Sequence, residues 1–310
     1  MRDLVGGIEA GGTKIVCGVG TIGSAGLIDR EEIPTSDNPE AVLEQVGSWL
    51  LDRESKHGKL AALGIASFGP VDLKTTSPQY GHITSTPKPR WTDTDIVGLV
   101  KKQFPDAAIG FDTDVNGAAL GEHRYGAARG LNDFVYITMG TGIGAGGMSG
   151  GILLHGLVHP EMGHLLVPRI HGDEFAGSCK YHGACWEGLC SGPAIAARTG
   201  TAATDLPADS PVWNMIARYS AAAIANIIFT LSPERIIIGG SVRKGGKLGE
   251  AKFFESLRRE TRKVLSDYIA SSSLDVNGIN SYITPPVLGN DAGIVGALVL
   301  AEDALRLNRR

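Results

Sequence analysis

The sequence predicts an α/β chain in which short buried strands alternate with helices and end on glycine. Apolar runs of strand length are followed by stretches with helical spacing along most of the chain. Glycine is in excess, 43 of 310 residues, about twice its usual ~7% share. The excess falls in short loops beside the apolar runs, where close backbone approach is useful, and not in low-complexity linkers.

In chain order, Leu4 to Gly20 reads as strand, glycine turn and strand. Helical spacing covers Asn38 to His57, and a buried strand follows at Ala61–Phe68, stopped by Gly69-Pro70. A strand at Ala107–Phe111 runs into Asp112-Thr113-Asp114 and then a helix, Val115 to Tyr125, whose start lies beside short polar residues able to cap it. Strand Asp133–Met139 and a glycine-rich return, Ile143–Met148, come next, followed by an irregular loop from about Gly156 to Gly188. Ser191-Gly192-Pro193 opens a short helix, with serine and an early proline in favourable places. Pro211 to Leu231 is a long helix, Arg235–Ile238 a fully apolar strand ending on Gly239-Gly240, and Ala251–Ile269 another helix. Strand Ile283–Leu288 and helix Asp291–Leu307 close the chain. No repeat with a period of 20–50 residues is visible.

The length suits two domains sharing an interface. A formal net charge of −4, with no basic run beyond the terminal arginines, argues against nucleic-acid binding, because phosphate neutralisation needs a basic face. No apolar stretch reaches membrane-spanning length and no signal-peptide pattern opens the chain, so a cytoplasmic location is expected. Cys17 sits in an apolar strand pattern and reads as a buried thiol; Cys190 reads as core packing at the start of a helix.

Four clusters carry chemistry. The most specific is His164, Cys179, His182 and Cys185, the last three as Cys-x-x-His-x-x-Cys with His164 fifteen positions upstream. Two sulfurs and two imidazoles suit a closed tetrahedral zinc site, structural because no coordination position stays open. Glu161 and Glu187 flank this set, so a metal would also fix two carboxylates and the second ring nitrogen of His164 toward a polyhydroxylated ligand. The second cluster, Gly11-Gly12-Thr13-Lys14, offers amides, a hydroxyl and a cation to an anion; a plain hairpin explains it equally well, and the Walker A spacing is absent. The third, Met139 to Gly147, is not a dinucleotide fingerprint, since strand-like sequence continues after its glycines; a hairpin with amides beside a phosphate fits better. The fourth is Asp114, which can take a proton from a substrate hydroxyl if it is ionised and within reach; Asp112 competes for the role, and both also read as helix caps. Three glycine-ended loops, at Gly7–Gly12, Gly140–Gly147 and Gly239–Gly240, suit one phosphate-bearing ligand.

Taken in order, Gly7-Ile8-Glu9-Ala10-Gly11-Gly12-Thr13-Lys14, the 114–122 segment, Met139–Gly147, Pro160-Glu161-Met162-Gly163-His164, the Cys/His loop, Ile238–Ser241 and Asp291–Ala297 resemble the motifs of the ROK family of repressors and sugar kinases over nearly the whole chain. Within it the sequence is most similar to bacterial zinc-containing fructokinases. The resemblance implies a two-lobed actin-like ATPase (ribonuclease H-like) fold with a zinc-binding loop at 156–190. It implies a small lobe from residues 1–117 and 292–310, a large lobe from 118–291, and a cleft between them. The implied activity is ATP-dependent phosphorylation of fructose at its 6-hydroxyl, with another hexose (mannose, glucose or allose) as the alternative, magnesium alongside ATP, and a homodimer. By the same resemblance Asp114 is the catalytic base, and Gly11, Gly12, Thr13 and Lys14 form one phosphate loop. Gly140, Thr141 and Gly142 form the other, and Gly239, Gly240 and Ser241 meet the adenosine. Glu161, His164 and Glu187 contact the sugar, and His164, Cys179, His182 and Cys185 hold zinc. Two positions depart from the pattern. Position 9 is Glu where such kinases commonly have Asp near magnesium, and Thr113 stands where many have a sugar-contacting Asn, which implies a sugar other than glucose. The repressors of the family carry an N-terminal helix-turn-helix, and no such pattern precedes the first glycine turn here.

Overall fold

A computed structural model of the chain describes residues 3–309. The elements are β1 (Leu4–Ala10), β2 (Lys14–Thr21), β3 (Leu27–Pro34), α1 (Pro39–His57), β4 (Leu60–Ser67), β5 (His82–Ile83), β6 (Thr94–Asp95), α2 (Ile96–Gln103), β7 (Ala108–Thr113) and α3 (Asp114–Tyr125). They continue as β8 (Phe134–Met139), β9 (Ile143–Ser149), β10 (Ile152–Leu153), α4 (Trp186–Cys190), α5 (Gly192–Thr199), α6 (Val212–Leu231), β11 (Arg235–Gly239), α7 (Glu250–Leu265), α8 (Ile279–Tyr282), β12 (Ile283–Thr284) and α9 (Ala292–Asn308).

These elements form two compact units. The first runs to Gly130 and includes Leu153–Pro160 and the chain from Val287; the second holds Leu131–Ile152 and Glu161–Pro286. Each contains a five-stranded sheet, in the orders β3-β2-β1-β4-β7 and β10-β9-β8-β11-β12. In both, an antiparallel hairpin (β1–β2, β8–β9) joins a parallel neighbour (β4, β11) along its first strand. One topology is therefore used twice, although the sequence shows no repeat.

The first unit is built on α9, whose Ile294, Ala297, Leu298 and Ala301 are fully or almost fully buried. Seating that helix requires glycine in the sheet. A Cβ on Gly64 of β4 would overlap the Ala297 carbonyl oxygen and stand 2.7 Å from the Ala301 nitrogen. Gly64→Ala is expected to cost ~1–3 kcal/mol by overpacking; an unchanged urea midpoint would mean that α9 has room to spare on β4. Helix α3 crosses α9 equally closely, since a Cβ on Gly296 would overlap the Gly117 carbonyl oxygen. This crossing moves the boundaries from those implied by the resemblance: all of α3 packs in the first unit, where the sequence reading divided it after residue 117. The buried Glu122 carboxylate accepts the backbone N–H groups of Val287 and Leu288 at 3.1 and 2.8 Å, so the residues just before α9 belong to the first unit as well. The second unit buries Trp186, Trp213, Tyr219, Phe253 and Phe254 among the branched aliphatics of β8, β11 and α6.

Several elements differ from the sequence reading. Strand β3 and helix α2 lie where no element was expected: β3 alternates partly exposed charges on a sheet edge, and α2 is only eight residues long. The last strand of the second sheet is only Ile283–Thr284, because Pro285 and Pro286 cannot donate to a ladder. Neither Asp112 nor Asp114 caps α3. Thr113 does, its hydroxyl accepting the Asn116 N–H at 3.1 Å. Cys190 is buried as expected but ends α4 instead of starting a helix; Ser191, the next residue, caps α5.

Candidate functional site

In the first unit, β1, β4 and β7 are parallel neighbours whose last residues, Ala10, Ser67 and Thr113, lie side by side. Open α/β sheets bind ligands at this carboxyl edge. The turn after β1 is closed by the Gly11 N–H donating to the Lys14 carbonyl at 2.9 Å and is held from β3's side by Thr35, whose hydroxyl donates to the Gly11 carbonyl at 2.8 Å. Gly12, Thr13 and Lys14 are left exposed at its tip. Lys14 pairs with Glu32 at 2.6 Å, and Arg30 donates to the same Glu32 oxygen. Glu9, one residue before the end of β1, directs its carboxylate at the start of α9, where a Cβ on Gly293 would overlap it. Burial, then the charge of Asp114, pushes the Glu9 carboxyl up to about 7, against the pull of Lys14 and Arg30. Asp114 opens α3, only partly exposed, its Oδ1 accepting the Val115 N–H at 2.9 Å. Burial raises it to about 6, against the pull of the Val115 N–H. Asp112, its rival on sequence, is spent otherwise: it is 3% exposed and accepts from Thr113, Asn116 and His155.

In the second unit the turn between β8 and β9 occupies the same topological place as the Gly11–Lys14 turn. The Gly140 N–H donates to the Gly142 carbonyl at 2.8 Å, and Gly192 at the start of α5 donates to the Gly140 carbonyl at 2.8 Å. Neighbouring β11 ends at Gly239 and is followed by Gly240 and Ser241, with Ser241 Oγ 3.7 Å from where a Cβ on Gly140 would stand. Gly240 has φ +83° and its missing Cβ makes room for the Met139 backbone. The two glycine groups are thus neighbours. Glu187, on α4, reaches the same hairpin: its Oε2 accepts the Ile143 N–H at 2.9 Å. The turn carrying Glu161 and His164 packs on that residue too, since a Cβ on Gly163 would overlap the Ile143 carbonyl oxygen. Glu161 is exposed, while His164 and Glu187 are half-buried.

His164, Cys179, His182 and Cys185 converge with one donor atom each, all within 4.8 Å of one another. His164 Nδ1 is 3.5 Å from Cys185 Sγ and 3.7 Å from Cys179 Sγ, and His182 Nδ1 is 3.7 Å from Cys179 Sγ. The edges of a tetrahedral site with two sulfurs and two nitrogens around zinc are about 3.4–3.8 Å, and these three separations fall in that range. Burial pushes the Cys185 thiol up to about 11, and no cationic side chain offsets this; a metal would supply the missing charge. His164 turns Nδ1 toward both sulfurs.

The loop between the first and second of these residues is anchored by a side chain that sequence reasoning missed. Asp173, nearly buried, accepts from both guanidinium nitrogens of Arg198 at 2.5 and 3.0 Å and from the Tyr219 hydroxyl at 2.5 Å. Arg198 holds its carboxyl well below the ordinary range. No signal in the sequence marks it, because its partners stand 25 and 46 residues away on α5 and α6.

A hairpin-plus-parallel α/β unit occurs twice within the chain, with a glycine turn at the same hairpin each time, and the ROK hexokinase of Thermus thermophilus shares this fold with a TM-score of 0.75 at 24% identity, covering 99% of this chain and 100% of that one. The chain belongs to the ROK family, whose profile matches residues 5–304. A Bacillus subtilis protein provisionally named a fructokinase is 46% identical over 303 residues, covering 98% of this chain and 97% of the relative. The fructokinase of Pediococcus pentosaceus is 40% identical, covering 98% and 99%. Among solved structures, the ROK glucokinase of Streptomyces griseus in complex with glucose and AMPPNP shares the fold with a TM-score of 0.72 at 24% identity, covering 97% of this chain and 99% of that one. No helix among the described residues is long and apolar enough to cross a membrane.

Proposed function

We propose that the protein transfers the γ-phosphoryl group of ATP to the 6-hydroxyl of fructose. The observation that carries this reading is a step in similarity: proteins named fructokinases match the whole chain at 35–46% identity, whereas those named glucokinases match at 25–28%. Such transfer needs positioning and charge neutralisation more than covalent chemistry. In this reading Asp114, in its ionised form, orients the attacking hydroxyl and takes its proton. The turns Gly11–Lys14 and Gly140–Gly142 receive phosphate oxygens at their exposed tips, Gly12–Lys14 and Thr141, with Lys14 adding charge, and Gly239–Ser241 take the adenosine. Glu161, Glu187 and His164 Nε2 hold sugar hydroxyls. Each such contact is worth ~1–3 kcal/mol of discrimination when its loss strands a buried partner.

Magnesium would neutralise phosphate charge beside Glu9, whose raised carboxyl a divalent cation would ionise. Zinc on the Cys/His set would be structural, since four protein ligands close its shell. The same reading takes the protein as a cytoplasmic homodimer. A panel of fructose, mannose, glucose and allose with a coupled ADP readout tests it: fructose should give the highest kcat/KM. A clear preference for another hexose would keep the kinase and replace the substrate.

A further inference from the structure

Residues Leu153–Pro160 leave the second unit, pack in the first, and return at Glu161. No role assigned above uses this strap. It is fastened to the carboxyl edge of the first sheet through two histidines. His159 Nε2 accepts the Val71 N–H at 3.1 Å, and its ring lies 3.2 Å from where a Cβ on Gly69 would stand, so it closes over the turn after β4. His155 Nε2 lies 2.8 Å from Asp112 Oδ2, at the end of neighbouring β7.

The second fastening bears on the base. Asp112 Oδ1 accepts the Thr113 N–H and the Asn116 side-chain amide, both at 2.8 Å. Asn116 also donates to the Leu154 carbonyl in the strap at 3.4 Å. Facing a carboxylate oxygen at 2.8 Å, His155 Nε2 is assigned as the donor that completes the shell. The three donors to Asp112 come from the strand end, the first turn of α3 and the strap. Asp114 is the first residue of α3. Removing one donor from a buried carboxylate leaves charge unsatisfied, and the groups around it shift to compensate.

We propose that the strap is a positioning element for Asp114, with His155 as its operative contact through Asp112. This rests on the kinase reading and deepens it by adding a residue that acts without touching substrate. Misplacing a reacting group by an ångström is enough to cost a large factor in rate.

The test compares His155→Leu, which removes the donor, with His155→Gln, which restores an N–H at similar reach, in the full-length metal-loaded protein. In the leucine variant fructose turnover should fall about tenfold or more with the KM for ATP essentially unchanged, and glutamine should recover most of it. Hydrogen exchange over residues 112–117 should quicken in the leucine variant and slow again with glutamine, a readout independent of the sugar. Wild-type turnover in the leucine variant would overturn the proposal. So would a glutamine variant as slow as the leucine one, with both unfolding at lower temperature. A wild-type protein inactive on fructose would count against the substrate reading alone, and the exchange data would then decide the strap.

Discussion

Asp114→Asn should lower turnover by ~10² or more while sugar and nucleotide still bind, because the amide keeps the shape of the carboxylate and loses its basicity. Binding is read by titration of each substrate, and turnover by the coupled assay; near-normal turnover would remove Asp114 as the base. The pH dependence follows from the same carboxylate. Burial raises it to about 6, so turnover should decline as pH falls through that value, with Glu9, raised to about 7, adding to the loss. Stability runs the other way. Both carboxyls have folded pKa values above their ordinary ones, so each favours the folded state when protonated and ceases to do so as pH rises toward 6 and 7. Asp114→Asn removes one of these desolvated charges and relieves Glu9 of a repulsive neighbour. The variant should therefore unfold at the wild-type temperature or above, which a misfolded variant would not do.

Cys179→Ser, or chelation of the wild-type protein, is expected to remove one metal ion per chain and to raise the fructose KM by about tenfold or more, within the 10–100-fold range for disturbing groups that orient a metal site. Cys179 is the member of the set whose sulfur faces both imidazoles, so its loss leaves His164 and His182 without a common neighbour. His164 Nδ1 then keeps only Cys185 Sγ, at 3.5 Å, as its sulfur neighbour. Asp173 would still hold the earlier part of the loop on α5 and α6, which confines the effect to the ligand turn at Cys179–Gly183 and to the sugar-side groups near it. Metal content by mass spectrometry and a melting curve accompany the kinetics, since an ion bound only by the folded chain raises its apparent stability. If metal is lost and the fructose KM stays as it was, the link from the Cys/His loop to the sugar is wrong.

What the sequence determined by itself was local. The Cys-x-x-His-x-x-Cys spacing, the glycine turns after β1 and β8, and serine before Gly192-Pro193 each follow from chemistry within a few residues: the structure has both turns and the serine cap, and it brings the Cys/His donors together with His164. The tertiary structure decided what depends on distant partners. It gave the capping role to Thr113 and buried Asp112 under His155, 43 residues away, which separates two aspartates that look alike on paper. It tied Asp173 to Arg198 and Tyr219, and it kept α3 whole beside α9 through glycines whose spacing looks unremarkable in the chain. The common topology of the two sheets was likewise invisible, because strand order is set by which buried faces meet, and that leaves no period in the residues themselves.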